Sequence, residues 1–387
     1  MSPVVPRRWQ VLLSAPAGAP LVAGLPAAVR AAFRAGKELK PDRVVIAGAD
    51  DAFMRKYARQ LLAAGVPTLG DRFGAAALDP KLPVLAVAPG FFPEEGALAA
   101  FADAAESSRF SLDARRSASG RTAAALRRDP AALGAGARSL DVVLEKALTD
   151  PAADLTAGEF VDARAPESAS RAAATLYAGL AKDTDGYIAM LDRRLSIAIS
   201  RALLPLPVTP NMVTTAGLVL GILGAWWLAA PSARLQFYGA LVLWFCCLLD
   251  GCDGEIARLK HLQSESGAAY DLWADHFSHL ATFIALPVGV ARLHPGRDWT
   301  VPGALLVTGF LACGFSVWWL VLRVPEEKRG PLALVVERIA SRDYVYLIVL
   351  MTALGRLDWF VWAAAVGSHA FWVWLWLAAP KVAGEAA

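Results

Sequence analysis

The chain has 387 residues, 38 Lys and Arg against 35 Asp and Glu, and a formal net charge of +3. That length exceeds one ordinary soluble core, so at least two structural units are expected. The small charge, with no compact Lys/Arg run interleaved with aromatics, argues against a nucleic-acid partner. Cys246, Cys247, Cys252 and Cys313 all sit in apolar segments, which argues against a disulfide framework.

From the amino terminus, MSPVVPRRWQ passes into alternating strand-like and helical stretches instead of a basic region, an apolar region and a cleavage site. No signal peptide is read, and the first domain is expected to be cytoplasmic. Short apolar runs with β-branched residues at 9–14, 43–49 and 83–88 predict strands. Between and after them, 26–35, 52–64 and 93–105 carry apolar positions at three- and four-residue steps or an acidic helix start, which predicts helices. Strand and helix in alternation imply an α/β domain with a mostly parallel sheet, assigned to residues 1–160. The stretch 131–157 is rich in Ala, Gly and Asp without a clear period, apart from a short helix expected over 140–148.

Residues 161–208 read as a linker and juxtamembrane segment. Helices are expected over 167–180 and 192–204, the second setting Arg193, Arg194 and Arg201 among Leu191, Leu195, Ile197, Ile199 and Leu203. A basic amphipathic helix of this kind suits an anionic membrane surface. Pro205, Pro207 and Pro210 break it, and the apolar half that follows, 209–387, is expected to be an all-α domain of six transmembrane helices. The expected spans are 213–230, 236–250, 272–290, 301–322, 344–354 and 359–379. If they alternate, Arg258, Lys260, Arg323, Lys328, Arg329, Arg338 and Arg342 share one side against Arg234, Arg292, Arg297 and Arg356 on the other, which predicts both termini inside. A multi-pass protein of the inner (cytoplasmic) membrane is the resulting expectation, with Trp residues forming interfacial belts.

The chemistry-bearing segment is Asp250-Gly-Cys-Asp253-Gly254-Glu-Ile-Ala257-Arg258, followed by Gly267-Ala-Ala-Tyr-Asp271-Leu-Trp-Ala-Asp275. Asp250 and Asp253 are three apart and Asp271 and Asp275 four apart, so each pair lies on one helical face. Carboxylates near hydrocarbon need a compensating cation or a water-filled cavity. Hard divalent ions suit oxygen donors, and two of them can stabilise both the attacking and the leaving oxygen of a phosphoryl displacement. Gly254, Ala257 and Gly267 leave room for close approach, and Arg258 can neutralise phosphate. His276 and His279, three apart with no third ligand, make a weak zinc pair and read better as groups orienting the carboxylates or facing the interface. Glu255 and Glu265 could help the site, although a solvated face accounts for both.

This run resembles the signature of the CDP-alcohol phosphotransferase family, D-x2-D-G-x2-A-R-x8-G-x3-D-x3-D, at every defined position. The resemblance extends back through Thr209-Pro210-Asn211 and Thr214. It implies that Asp250, Asp253, Asp271 and Asp275 hold two divalent ions, Mg2+ or Mn2+, with Asp275 as the base. It also implies that CDP packs against Asp250, Gly254, Ala257, Arg258, Gly267, Asn211 and Thr214, and that the protein is a homodimer. The reaction so implied is transfer of a phosphoalcohol group from a CDP-alcohol such as CDP-diacylglycerol to an acceptor hydroxyl, with release of CMP, in phospholipid or polyol-phosphodiester biosynthesis. The acceptor so expected is an inositol phosphate or another polyol phosphate; the alternatives are a phosphatidyltransferase making an ordinary phospholipid from CDP-diacylglycerol and, from another class, a catalytically silent membrane scaffold.

For the acceptor, Arg193, Arg194, Arg201, Lys260 and Arg342 could gather an anionic polyol phosphate, although basic residues on a membrane-facing side also contact lipid headgroups. The junction from Lys182-Asp-Thr-Asp-Gly186 through Leu191-Asp-Arg-Arg-Leu-Ser196 is similar to that of inositol-phosphate members of the family, some of which carry an amino-terminal cytidylyltransferase. A triphosphate cradle needs a Gly-rich loop with a basic residue. Ser14-Ala-Pro-Ala-Gly18-Ala-Pro20 has one Gly, two Pro and no cation, and Val87-Ala-Pro-Gly-Phe91 stands where a metal-binding acid would be sought. The first domain is therefore read as a degenerate nucleotidyltransferase-like domain.

Overall fold

The computed structural model describes residues 9–15, 21–70, 78–79, 81–106, 112–116, 122–127, 145, 153–154, 160–164, 166–180, 187–323, 336 and 344–385. Its contacts divide it into two units, Met1–Asp183 with Leu204–Leu206 and Ile256–Leu262, and Thr184–Leu203 with Pro207–Glu255 and Gln263–Ala387.

The first unit is α/β. Its strands are β1 (Gln10–Ser14), β2 (Leu21–Val22), β3 (Leu25–Pro26), β4 (Arg43–Ala47), β5 (Thr68–Gly70), β6 (Val84–Val87), β7 (Phe91–Pro93), β8 (Leu112–Arg116), β9 (Thr122–Arg127), β10 (Ala153–Asp154) and β11 (Phe160–Asp162). Seven of them form one sheet in the order β10-β8-β9-β6-β1-β4-β5. The sheet is mixed: β1 pairs in parallel with β4 and β6, and β4 with β5, whereas β9 runs antiparallel to both β6 and β8. The three strands expected from apolar runs are β1, β4 and β6, and they lie next to one another at its centre. They are buried almost throughout, as a sheet covered on both faces requires.

Helix α1 (Ala27–Glu38) buries Ala28, Val29, Ala31, Ala32 and Ala35 against this sheet's apolar core. The single helix expected over 52–64 is two, α2 (Asp51–Lys56) and α3 (Ala58–Ala63), because the backbone leaves helical geometry at Tyr57. Helix α4 (Ala97–Glu106) starts where Glu38 accepts hydrogen bonds from the amides of Gly96, Leu98 and Ala99, so an acidic side chain satisfies its orphan donors. Helix α5 (Pro166–Ala178) follows β11.

Arg30, on α1, is buried and donates through Nε and Nη2 to the carbonyls of Val22, Ala23 and Leu259. Burial pulls its pKa down to about 10. Beside it the His261 ring stacks on Phe33, with ring centroids 3.8 Å apart. Burial first, and then the charges of Arg30, Arg34 and Lys37, push His261 down to about 3.

The second unit is helical: α6 (Tyr187–Leu203), α7 (Pro210–Leu228), α8 (Ala233–Leu259, its last turn counted with the first unit), α9 (Glu265–Leu293), α10 (Thr300–Val317, continued by a π-helical turn Trp318–Leu322), α11 (Tyr344–Ala353) and α12 (Leu357–Glu385). Thr209 caps α7 and Pro210 sits in its first turn, a strong helix start. Among the described residues four helices are long and apolar enough to cross a membrane, Pro210–Leu228, Ala233–Leu259, Thr300–Val321 and Leu357–Ala378, while α11 is a shorter apolar helix. Against the six expected crossings, α9 has the length, at 29 residues, but also the acids of the motif. Exposed Trp226, Phe315, Trp319, Trp359 and Trp362 give the bundle the apolar exterior that lipid demands. The helices meet through small residues, with Gly224 against Gly239 and Gly289 against the Leu228 carbonyl, the close approach that replaces the hydrophobic effect inside a bilayer.

Candidate active site

Helix α8 does not stop at Asp250, where the sequence suggested a span ending, but continues unbroken to Leu259. Asp250 and Asp253 are therefore one turn apart on a rigid helix, with Asp271 and Asp275 one turn apart on α9. One carboxylate oxygen from each of Asp250, Asp271 and Asp275 can be chosen so that all lie within 4.8 Å of one another. All three side chains are half-buried. Three hard oxygen donors this close repel unless a proton or cation lies among them, and the set fits a hard divalent ion.

Asp253 is held differently. It is 5% exposed, its Oδ2 accepts the Thr214 hydroxyl at 2.5 Å and its Oδ1 accepts the Gly254 amide at 2.5 Å. Its carboxyl group is also within hydrogen-bonding reach of Asp271. Thr214, expected to contact CDP, thus orients Asp253.

Of the other expected CDP contacts, a Cβ built on Gly254 meets nothing within 4 Å, so open space stands over this turn of α8. A Cβ on Gly267 would come within 3.4 Å of Asn211 Oδ1, which brings α7 and α9 together at this end of the bundle. Ala257 is half-buried and Arg258 exposed on the last turns of α8.

The basic residues separate. Arg193 is partly buried on α6 with its Nη1 3.5 Å from Glu255 Oε1, whereas Arg194 and Arg201 are exposed. Lys260 is buried and donates to the Leu206 carbonyl at 2.9 Å. Arg342, the linker 182–186, the loop 16–20 and the helix expected over 140–148, of which only residue 145 is described, lie outside the described residues.

A cavity adjoins the carboxylates, lined by Asp250 and Asp275 together with Cys246, Ser278, His279 and Tyr344. His279 thus faces the site's interior, its ring edge-on to Tyr344. His276 is exposed, with Nδ1 2.7 Å from the Leu272 carbonyl. Glu265 sits in the first turn of α9 next to the cap Ser264, but Glu255 is fully buried, contrary to the solvated face expected for it. Its partners Ser196 and Ser200 were also missed; the only signal was their four-residue spacing on α6.

Fold and site together define a membrane protein with an oxygen-donor acid cluster where two long helices face each other. Over residues 207–378 the chain matches the model of the CDP-alcohol phosphatidyltransferase family. It is 33% identical over 160 residues to a bifunctional IPC transferase and DIPP synthase of Rubrobacter xylanophilus, covering 41% of this chain and 36% of that one. To the phosphatidylinositol phosphate synthase of Mycobacterium tuberculosis it is 38% identical over 93 residues, 24% of this chain and 42% of that one. The matches thus span well under half the length of these relatives. A crystal structure of the M. tuberculosis phosphatidylinositol phosphate synthase with CDP-DAG bound aligns with 49% of this chain and 93% of its own, at 23% identity and a TM-score of 0.36.

Proposed function

We propose that the protein is a divalent-metal-dependent CDP-alcohol phosphotransferase that passes a phosphoalcohol group from a CDP-alcohol to the hydroxyl of a polyol phosphate and releases CMP. The observation that carries this reading is the meeting of Asp250, Asp271 and Asp275 oxygens within 4.8 Å, beside an Asp253 oriented by Thr214. Asp250, Asp253, Asp271 and Asp275 would hold Mg2+ or Mn2+, two ions in all. Bound there, the metal neutralises charge on the diphosphate. Asp275 takes the proton of the acceptor hydroxyl, whose oxygen then bonds to the β-phosphorus as the bond from that phosphorus to the bridging oxygen breaks. CMP leaves with the bridging oxygen. The open space over Gly254, with Ala257, Arg258, Gly267 and Asn211 around it in the motif, would receive the CDP moiety. Inositol phosphate as acceptor is supported by the names of the mycobacterial relatives.

The protein is read as a homodimer of the inner membrane with a cytoplasmic, degenerate nucleotidyltransferase-like first domain. The test is CMP release by purified protein in lipid with Mg2+, offering CDP-diacylglycerol and CDP-inositol separately, each with and without inositol phosphate. Release that depends on one donor and on acceptor, and disappears in Asp275→Asn, is expected. No release with any pair would sink the reading in favour of a silent scaffold.

A further inference from the structure

We propose that Glu255 is a positioning residue that docks the basic helix α6 onto α8 and so sets the acceptor side of the site. The proposal rests on the phosphotransferase reading and deepens it. Glu255 is 0% exposed, its Oε1 accepts the Ser196 hydroxyl at 2.6 Å and its Oε2 accepts the Ser200 hydroxyl at 2.7 Å. Both serines are themselves buried. Each carboxylate oxygen is thus addressed by a different turn of α6, and the Arg193 guanidinium approaches Oε1 from the turn before. The approach is close: Cys252 Sγ lies 3.4 Å from the Ser196 carbonyl, and a Cβ on Gly251 would come within 3.3 Å of the Ser196 side chain. Next to Arg193 on α6, Asp192 accepts from the Tyr346 hydroxyl of α11.

Glu255 takes no direct part in the chemistry. At about 100° per residue it stands roughly 200° around α8 from Asp253, on the face turned away from the carboxylate cluster. A buried carboxylate is a costly way to pack two helices, because an apolar side chain would fill the space without desolvating a charge. What the acid adds is register. Two hydroxyls one turn apart fit its two oxygens in a single placement of α6, whereas an apolar seam tolerates sliding. That placement fixes where Arg193, and with it Arg194 and Arg201, stand for an anionic acceptor. Exposed Met190, Leu191 and Leu195 leave the remainder of α6 to face lipid.

The test compares wild type with Glu255→Gln, Glu255→Ala and the double variant Ser196→Ala/Ser200→Ala, measuring CMP release against acceptor and donor separately. Glu255→Ala and the serine pair should each raise the acceptor KM about tenfold, with kcat and donor KM within about twofold, and their combination should add little further. Glu255→Gln keeps an acceptor oxygen for one serine and should recover part of the loss. An unchanged acceptor KM, or a parallel fall in every parameter together with the melting temperature, would overturn the proposal. Hydrogen exchange of α6 in the full-length protein provides the second readout: protection lost in Glu255→Ala supports docking, and protection retained refutes it. If wild type releases no CMP, the phosphotransferase reading fails by itself, and the exchange result still decides what Glu255 does.

Discussion

Replacing Thr214 by Val keeps the shape and β-branching of the side chain in α7 and removes one hydroxyl. That hydroxyl bonds Asp253 Oδ2 at 2.5 Å in a setting where Asp253 is only 5% exposed. A hydrogen bond to a charged group contributes about 1.5–3 kcal/mol, and a buried acceptor left without its donor keeps its desolvation penalty. At about 1.4 kcal/mol per tenfold, Thr214→Val should weaken the site's hold on divalent metal by roughly 10- to 100-fold. The assay is CMP release titrated with Mg2+, read as the half-saturating concentration, with Thr214→Ser as the control that restores the hydroxyl. A Thr214→Val protein with wild-type Mg2+ dependence would refute the assignment of Asp253 as a metal-site carboxylate oriented by Thr214. A shift that Thr214→Ser fails to reverse would show that packing, and not the hydrogen bond, is responsible.

Gly254→Ala should leave the protein as stable as wild type or slightly more so, since Ala is the better helix former and its Cβ meets nothing within 4 Å. Its KM for the CDP donor should nevertheless rise several-fold, because the methyl group enters the space assigned to substrate; an unchanged donor KM would place the donor elsewhere. Gly289→Ala should do the opposite, lowering the melting temperature in detergent through collision with the Leu228 carbonyl and Gln236, at a cost of about 1–3 kcal/mol. For His261 the folded pKa, about 3, lies below the unfolded value of 6.5, so as pH falls through 6.5 the unfolded chain takes up the proton first and folding stability declines until about pH 3. A few kcal/mol is the order of the effect, and His261→Phe should flatten that part of the stability profile while keeping a ring against Phe33; an unchanged slope would show that His261 protonates freely in the folded state.

The central strands were legible because β1, β4 and β6 are apolar runs buried on both faces, the one pattern that composition alone reveals. Strands β8, LDARR, and β9, TAAALR, were not, since Ala and charged residues have weak strand preference and the pairing with β6 that stabilises β9 is long-range. Tyr57 divided what looked like a single helix, and nothing in the local apolar period announces that break. The four motif carboxylates were legible because their spacing survives any register of two helices. The role of Glu255 was not. Its meaning depends on which face of α6 packs on α8, and the Arg-rich pattern of α6 suggested a helix lying on lipid instead of one docked through serines.

The same acids bear on why α9 is not among the four candidate spans. Helix α9 is 29 residues long, about 44 Å at 1.5 Å per residue, which is ample for a bilayer core. It is not among the four helices apolar enough to be recognised as spans, and Glu265, Asp271, Asp275 and Arg292 lie along it. Helix α8 carries Asp250, Asp253 and Glu255 within six residues yet passes, because its acids are concentrated at one end of an otherwise apolar helix. Each acid has a structural answer to its own burial: Asp253 has Thr214 and an amide, Glu255 has two serines, and Asp250 has Asp271 and Asp275 within one ion's reach. Asp250, Asp271 and Asp275, with Asp253 in reach of Asp271, bring together groups of the same sign and so call for a cation from outside the chain, whereas Glu255 meets two hydroxyls. That difference separates the carboxylates proposed for chemistry from the one proposed for positioning.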